Sequence, residues 1–399
     1  YHRYREDVQI MKEMGMKAYR FSLSWARIMP EGTGTVNEKG LEYYDNLINE
    51  LLDNGIEPFV TLYHWDLPYA LHLQGGWMNP NSPSWFYEYA KVVAEHFSDR
   101  VKNFFTINEP QCIVGLGYQT GEHAPGLKVG PSDYFRIWHN VLKAHGRAVE
   151  ALREFSKQPV KISMAPCGAL YVPETNKPED IEAARKANFS LPENSIGACS
   201  WDVALCCDPV YLGQYPEDIL KEFGQFFPKV TDADMKLISQ PLDFFGQNIY
   251  NAVTVRAGED GKAVRAARYD GFPQTAIGWP VTPEVLYWAP KFMQERYKKP
   301  FMITENGMAS HDWVSVDGKV HDQARVDFMA RYLGAYKRAA EDGVDLAGYF
   351  AWSVMDNFEW AYGYSQRFGL VYTDYNTQKR IWKDSAYFYK NIIETNGEK

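Results

Sequence analysis

The chain has 399 residues, 45% of them hydrophobic and 23% charged, and carries a formal net charge of −9. That acidic balance, with no Lys/Arg-rich run, excludes nucleic acid and an anionic membrane surface as partners and favours a neutral small molecule. The apolar runs fall far short of the ~20 residues that a membrane helix needs.

The five cysteines are odd in number and Cys206 adjoins Cys207, an awkward set for a disulfide framework, so they read as buried or partly buried thiols. No CxxC or other metal spacing is present. The localisation expected is cytoplasmic, with a signal peptide ahead of Tyr1 left open. Assembly state is left open as well.

In chain order, the first predicted element is a helix with Val8, Met11 and Met14 in phase and Gly15 as its stop. Residues 17–25, KAYRFSLSW, read as a strand. Asn37 is placed to cap a helix that repeats Leu41, Tyr44, Ile48 and Leu51 and ends at Gly55. The strand 57–65, EPFVTLYHW, follows, then a helix from near Ser84 with Tyr89, Val93 and Phe97 on one face. Residues 104–110, FFTINEP, form the next strand, 134–155 a long helix and 161–166 a strand. After a polar excursion comes the strand 243–250, DFFGQNIY.

Asp260-Gly261 between Val255 and Val264, and Asp317-Gly318 between Val316 and Val320, are hairpin signals that decorate loops. The strand 301–307, FMITENG, precedes a helix capped by Asp322 with Val326, Met329, Leu333, Tyr336 and Ala340 in phase. Residues 346–352 form the last strand and 383–394 a closing helix. Seven strands of parallel character alternating with helices imply an α/β fold, and no GxGxxG or Walker loop follows any of them. Seven units behind a leading helix suit a (β/α)8 TIM barrel that lacks its first β-strand in this chain, one domain over 1–399 with no repeat or linker to split it.

Two strands end in the same grammar. FFTINEP runs from apolar residues into Asn108 and Glu109, and FMITENG into Glu305, Asn306 and Gly307. Parallel strands of one barrel would present both glutamates at their C-terminal ends, where barrel active sites lie. A facing carboxylate pair is the equipment of glycoside cleavage, with one acid for the leaving oxygen and one carboxylate at the anomeric carbon. A separation of roughly 5 to 5.5 Å, the retaining geometry, is expected.

YHWDLP (63–68), TINEP (106–110), ITENG (303–307) and WSVMDNFEW (352–360) together resemble glycoside hydrolase family 1, the β-glucosidase family. The resemblance runs from the first helix to the last. It implies a (β/α)8 barrel that hydrolyses β-linked glycosides with retention, without metal or organic cofactor, with Glu109 as general acid and base and Glu305 as nucleophile. Arg20 resembles the arginine that favours the charged nucleophile, and Tyr250 the tyrosine that hydrogen-bonds it; IY stands here for the family's usual tyrosine pair. For the sugar, the resemblance implies His64, Trp65, Asn108, Trp352, Glu359 and Trp360, with Asn248 and Phe368 nearby and Trp279 flanking the aglycone. It also implies a non-proline cis peptide at Trp352-Ser353. Glu359 would repel a phosphate where phospho-β-glucosidases carry a serine and a lysine, and the presence of Glu109 favours O- over S-glycosides.

The expected activity is therefore an exo-acting retaining β-glucosidase, with some β-galactosidase or β-fucosidase activity. The alternative is a sugar-binding barrel impaired in catalysis, because the family's first strand carries a hydroxyl-binding glutamine that no segment ahead of the first helix supplies here. A transglycosylase would use the same intermediate with another acceptor. His123, His139 and His145 are expected to be structural, Trp25, Trp138, Trp201 and Trp382 to belong to the core, and Cys112 and Cys167 to approach the site without a role.

Overall fold

Alternation of apolar strands with amphipathic helices produces the expected barrel in the computed structural model, which describes all residues except 192, 194 and 399. Its parallel strands are β1 (Ala18–Ser22), β2 (Glu57–Tyr63), β3 (Asn103–Asn108), β4 (Lys161–Ala165), β5 (Phe245–Asn248), β6 (Phe301–Asn306) and β7 (Leu346–Ala351). One arc runs β1-β2-β3-β4 and another β7-β6-β5, all pairs parallel. The arcs meet where Asp243 N–H donates to the Ile162 carbonyl (3.0 Å) and Asn248 N–H to the Pro166 carbonyl (2.9 Å).

On the other side β1 and β7 are not paired. A cavity of about 670 Å³ runs along both strands, from Asp7 and Met11 at one end to Arg20, His64, Trp352 and Trp360 at the other. Inside the barrel a small cluster of Phe105, Ala165, Phe244 and Met302, flanked by Phe59 and Phe350, fills the axis. The larger core lies between strands and helices, where Trp25, Trp77, Trp138 and Tyr89 are fully buried. No helix among the described residues is long and apolar enough to cross a membrane.

Several local expectations need correction. Asn37 stands at the N-cap of the helix Glu38–Asp53, but its side chain donates to the Arg27 carbonyl (2.9 Å) and caps nothing. Asp322 likewise precedes the helix Gln323–Glu341 without capping it, because Arg325 and the Ser385 N–H (2.8 Å) occupy its carboxylate. That helix buries Met329 and Tyr336 as expected, together with Phe328, Tyr332, Ala335 and Ala339, while Val326 and Leu333 are half-buried and Ala340 is exposed, so its inner stripe is turned in part from the one expected.

Trp25 opens a short helix, Trp25–Ile28, instead of extending the strand. Of the two hairpin signals, Asp260-Gly261 joins paired strands Val253–Ala257 and Ala263–Arg265. Asp317-Gly318 makes only a turn, closed by the Ser315 N–H to the Lys319 carbonyl (2.7 Å). Among the described residues the polar excursion holds five α-helices, Pro178–Ala187, Ile196–Ser200, Val203–Tyr211, Glu217–Phe223 and Asp232–Ile238, and the helix Val285–Tyr297 precedes β6; neither was foreseen.

Candidate active site

Strict alternation would not aim both glutamates at one point, and the strands are not strictly alternating. Pairing goes from Phe105↔Ser163 to Asn108↔Ala165, so β3 carries an extra residue against β4. It goes from Gln247↔Ile303 to Asn248↔Glu305, so β6 carries one against β5. Against β7 the step from Ile303 to Asn306 again exceeds the step from Tyr349 to Ala351. Such bulges re-aim a side chain, and here they fall on the C-terminal ends of the two strands that lead to Glu109 and Glu305. Glu109 follows β3 at φ 42, a left-handed conformation fixed by its N–H to the Ala165 carbonyl (2.8 Å) and by Pro110, which starts the next helix. Of the six non-glycine residues with positive φ among the described residues, three, Trp65, Glu109 and Trp360, lie in this region, at about 1–3 kcal/mol of strain each.

One hydrogen-bonded chain links the two carboxylates. Arg20 Nη1 donates to Glu305 Oε1 (2.7 Å), and Arg20 Nη2 to Asn108 Oδ1 (2.6 Å). Asn248 Nδ2 donates both to Asn108 Oδ1 (3.1 Å) and to Glu109 Oε1 (2.8 Å). Tyr250 donates to the other carboxylate oxygen, Glu305 Oε2, at 2.6 Å. Six side chains from four strands and two loops thus meet at one end of the barrel, and the two glutamates are close enough to feel each other. Burial first, and the Glu305 charge second, lift the Glu109 carboxyl from 4.5 to about 7.

The surrounding wall is aromatic. His64 lies 3.1 Å from Asn108 Nδ2 and stacks on Trp360 (5.7 Å between centroids, 19°). Burial, helped by the charge of Arg20, pushes its imidazole down to about 3, so it is neutral. Trp65 donates Nε1 to the Asn108 carbonyl (3.0 Å) and packs 4.5 Å from Trp360. On the far side Tyr250, Trp279 and Phe368 pack together, Tyr250 to Trp279 at 5.0 Å and Trp279 to Phe368 at 6.1 Å. The Trp352-Ser353 peptide is cis.

Gly307 is required by a close approach: a Cβ there would lie 1.8 Å from the Trp352 carbonyl oxygen. Glu359 is raised to about 7 by burial and then by Glu305 and Glu109, and its Oε2 has no hydrogen-bond partner among the described residues. An acceptor held in that way suits a ligand hydroxyl.

Every residue expected from the sequence to act on or hold the sugar is brought to this end of the barrel, and several others join them. Thr304 donates to Asn248 Oδ1 (2.6 Å) and sets its amide orientation. His123, expected to be structural, packs against Trp65 (5.2 Å) and Trp360 (6.1 Å). Cys112 Sγ donates to Glu109 Oε2 at 3.0 Å. Below the loop that carries Glu359, buried Asp356 takes Lys383 Nζ (2.8 Å) and Arg367 Nη1 (2.6 Å), anchoring the loop's base. Except for Cys112, which follows Glu109 by three residues, no spacing signals these contacts, because their partners lie eleven residues or more away. His139 on Tyr215 (2.9 Å) and His145 on Thr106 (2.6 Å) lie among buried groups, as expected of structural histidines.

Comparison with known proteins agrees with this geometry. The profile described as "Glycosyl hydrolase family 1" matches residues 1–398. Beta-glucosidase A of Thermotoga maritima is 46% identical over 400 residues, covering 100% of this chain and 86% of that protein. The bifunctional beta-D-glucosidase/beta-D-fucosidase of Bifidobacterium breve is 37% identical, covering 98% of this chain and 87% of that protein. The solved structure of the Thermotoga maritima β-glucosidase in complex with glucoimidazole superposes with a TM-score of 0.89 at 46% identity, over 100% of this chain and 87% of that one. A profile match over nearly every residue, on a barrel that carries two coupled glutamates at its strand ends, places this chain in glycosyl hydrolase family 1, as a glycosidase.

Proposed function

We propose that the protein is an exo-acting retaining β-glucosidase for unphosphorylated β-D-glucosides, with β-galactosides and β-fucosides as secondary substrates. Glu305 attacks the anomeric carbon, its two oxygens oriented by Arg20 and Tyr250. Glu109, neutral below about 7, gives its proton to the leaving oxygen. The glycosyl–Glu305 ester is then opened by water, whose proton passes to Glu109, and the β-configured sugar leaves. Asn108, Asn248, His64 and Glu359 supply polar partners for hydroxyls, while Trp65, Trp352 and Trp360 supply a face for the sugar's C–H groups. Trp279 and Phe368 flank the aglycone.

The observation that carries this reading is the continuous chain of hydrogen bonds from Glu305 through Arg20, Asn108 and Asn248 to Glu109, which gives two carboxyls different partners across one site. The names of the Thermotoga and Bifidobacterium relatives support the β-glucoside and β-fucoside specificity. A barrel that binds sugar without turnover is not favoured, since both glutamates and their supporting side chains are assembled. Glu305→Ala should lose hydrolysis of an activated aryl β-glucoside by several orders of magnitude, and azide should restore part of it with an α-configured glycosyl azide as product. Turnover at the wild-type rate without azide would refute the assignment.

A further inference from the structure

Two thiols converge on the Glu109 carboxylate. Cys112 lies on the helix Pro110–Val114 and Cys167 on the loop after β4, and one ligand atom from each of Glu109, Cys112 and Cys167 falls within 4.8 Å of the others. The scaffold that brings them together is stiff. Buried Gln111 donates Nε2 to the Cys167 carbonyl (2.8 Å), and its Oε1 accepts the Cys167 N–H (3.3 Å). Because Asn248 holds Glu109 Oε1, the oxygen that meets the sulfurs is Oε2.

We propose that Glu109 Oε2, Cys112 Sγ and Cys167 Sγ form a site for a thiophilic divalent cation of the Zn²⁺ or Cd²⁺ type, and that filling it switches hydrolysis off by capturing the general acid. Two sulfurs and a carboxylate oxygen are three of the four ligands of a tetrahedral centre, leaving one position for water. With bonds of about 2.3 Å to sulfur and 2.0–2.2 Å to oxygen, the ligand atoms of such a centre stand roughly 3.5 to 3.8 Å apart. Side-chain rotations that draw the cluster in by about 1 Å complete the site.

The step balances without electron transfer: the cation forms two M–S bonds and one M–O bond, and two thiol protons and the carboxylic proton leave to solvent. Sulfur is a soft ligand, so hard cations such as Mg²⁺ gain too little from two thiols to displace their protons, whereas soft ones can. Entry is from a cavity of about 280 Å³ that Cys112 lines with Trp65 and His123.

Binding and switching are separately measurable, since only the switching rests on the acid role proposed for Glu109. Cd²⁺ titrated into the full chain should produce an ultraviolet thiolate-to-metal absorption that saturates at one equivalent, with hydrolysis of an aryl β-glucoside lost in parallel and both effects reversed by EDTA. Cys167→Ala, or Cys167→Ser if the first does not fold, should need about tenfold more Cd²⁺ or more for half effect, each judged against its own metal-free rate. Cys207→Ala, buried elsewhere, should respond as wild type. The site is overturned if wild type shows no such absorption, if the Cys167 variants titrate like wild type, or if Cys207→Ala abolishes the response. Saturating absorption with hydrolysis intact would overturn the switch and the acid role of Glu109, while leaving the binding site in place.

Discussion

Replacing Glu109 by Gln separates the electrostatic cost of the site from its chemistry. In the folded chain the Glu109 carboxyl rises from 4.5 to about 7, chiefly through burial and then through the Glu305 charge. The folded state therefore holds this proton more tightly than the unfolded state does. The associated stability is fully present below about 4.5 and is lost as pH rises through about 7. At ~1.4 kcal/mol per unit, that amounts to about 3 kcal/mol between pH 4.5 and pH 8. Spread over an unfolding entropy of roughly 2 cal/mol/K per residue, it corresponds to about 3 to 4 °C in Tm.

The amide cannot ionise and keeps an acceptor for Asn248, so packing changes are the same at both pH values. The Tm of Glu109→Gln minus that of wild type should be larger by about 3 to 4 °C at pH 8 than at pH 4.5. Glu359, whose own rise is caused in part by Glu109, adds in the same direction, and Asp202, also raised to about 7 by burial, cancels between the two proteins. Scanning calorimetry of both proteins at the two pH values reads the effect directly. A Tm difference that does not change with pH, or that shrinks on going to pH 8, would refute the reasoning.

With Glu109 as the proposed acid, the same rise should set the basic limb of the pH–rate profile. Hydrolysis of alkyl glucosides should fall as pH rises through about 7. Glu109→Ala should lose more activity on alkyl than on nitrophenyl glucosides, and equal losses would count against the acid role. Gly307→Ala places a Cβ 1.8 Å from the Trp352 carbonyl oxygen, so it should lower stability by about 1–3 kcal/mol and weaken kcat/KM through displaced Trp352. Unchanged denaturation and kinetics would show that the backbone gives way more easily than the packing suggests.

The barrel was legible because its strands are short, apolar and bounded, and because each sits between helices with one apolar face. Phe301–Asn306 and Asn103–Asn108 were located to within a residue or two. Capping was misjudged where another partner outcompeted the helix's own N–H groups: the Arg27 carbonyl takes the amide of Asn37, while Arg325, three residues on, and the remote Ser385 take the carboxylate of Asp322. The same cause hid Asp356, whose partners Lys383 and Arg367 lie in other segments.

By itself the sequence determined the residue types of the site, the order of the strands and the end of the barrel at which Glu109 and Glu305 emerge, because these depend on local composition and period. The tertiary structure alone decided how the two side chains are aimed and how they differ in charge. Bulges on β3 and β6 arise from pairing with strands remote in sequence. The raised Glu109 carboxyl arises from the water excluded when those strands close around it, and from a second carboxylate nearly two hundred residues away.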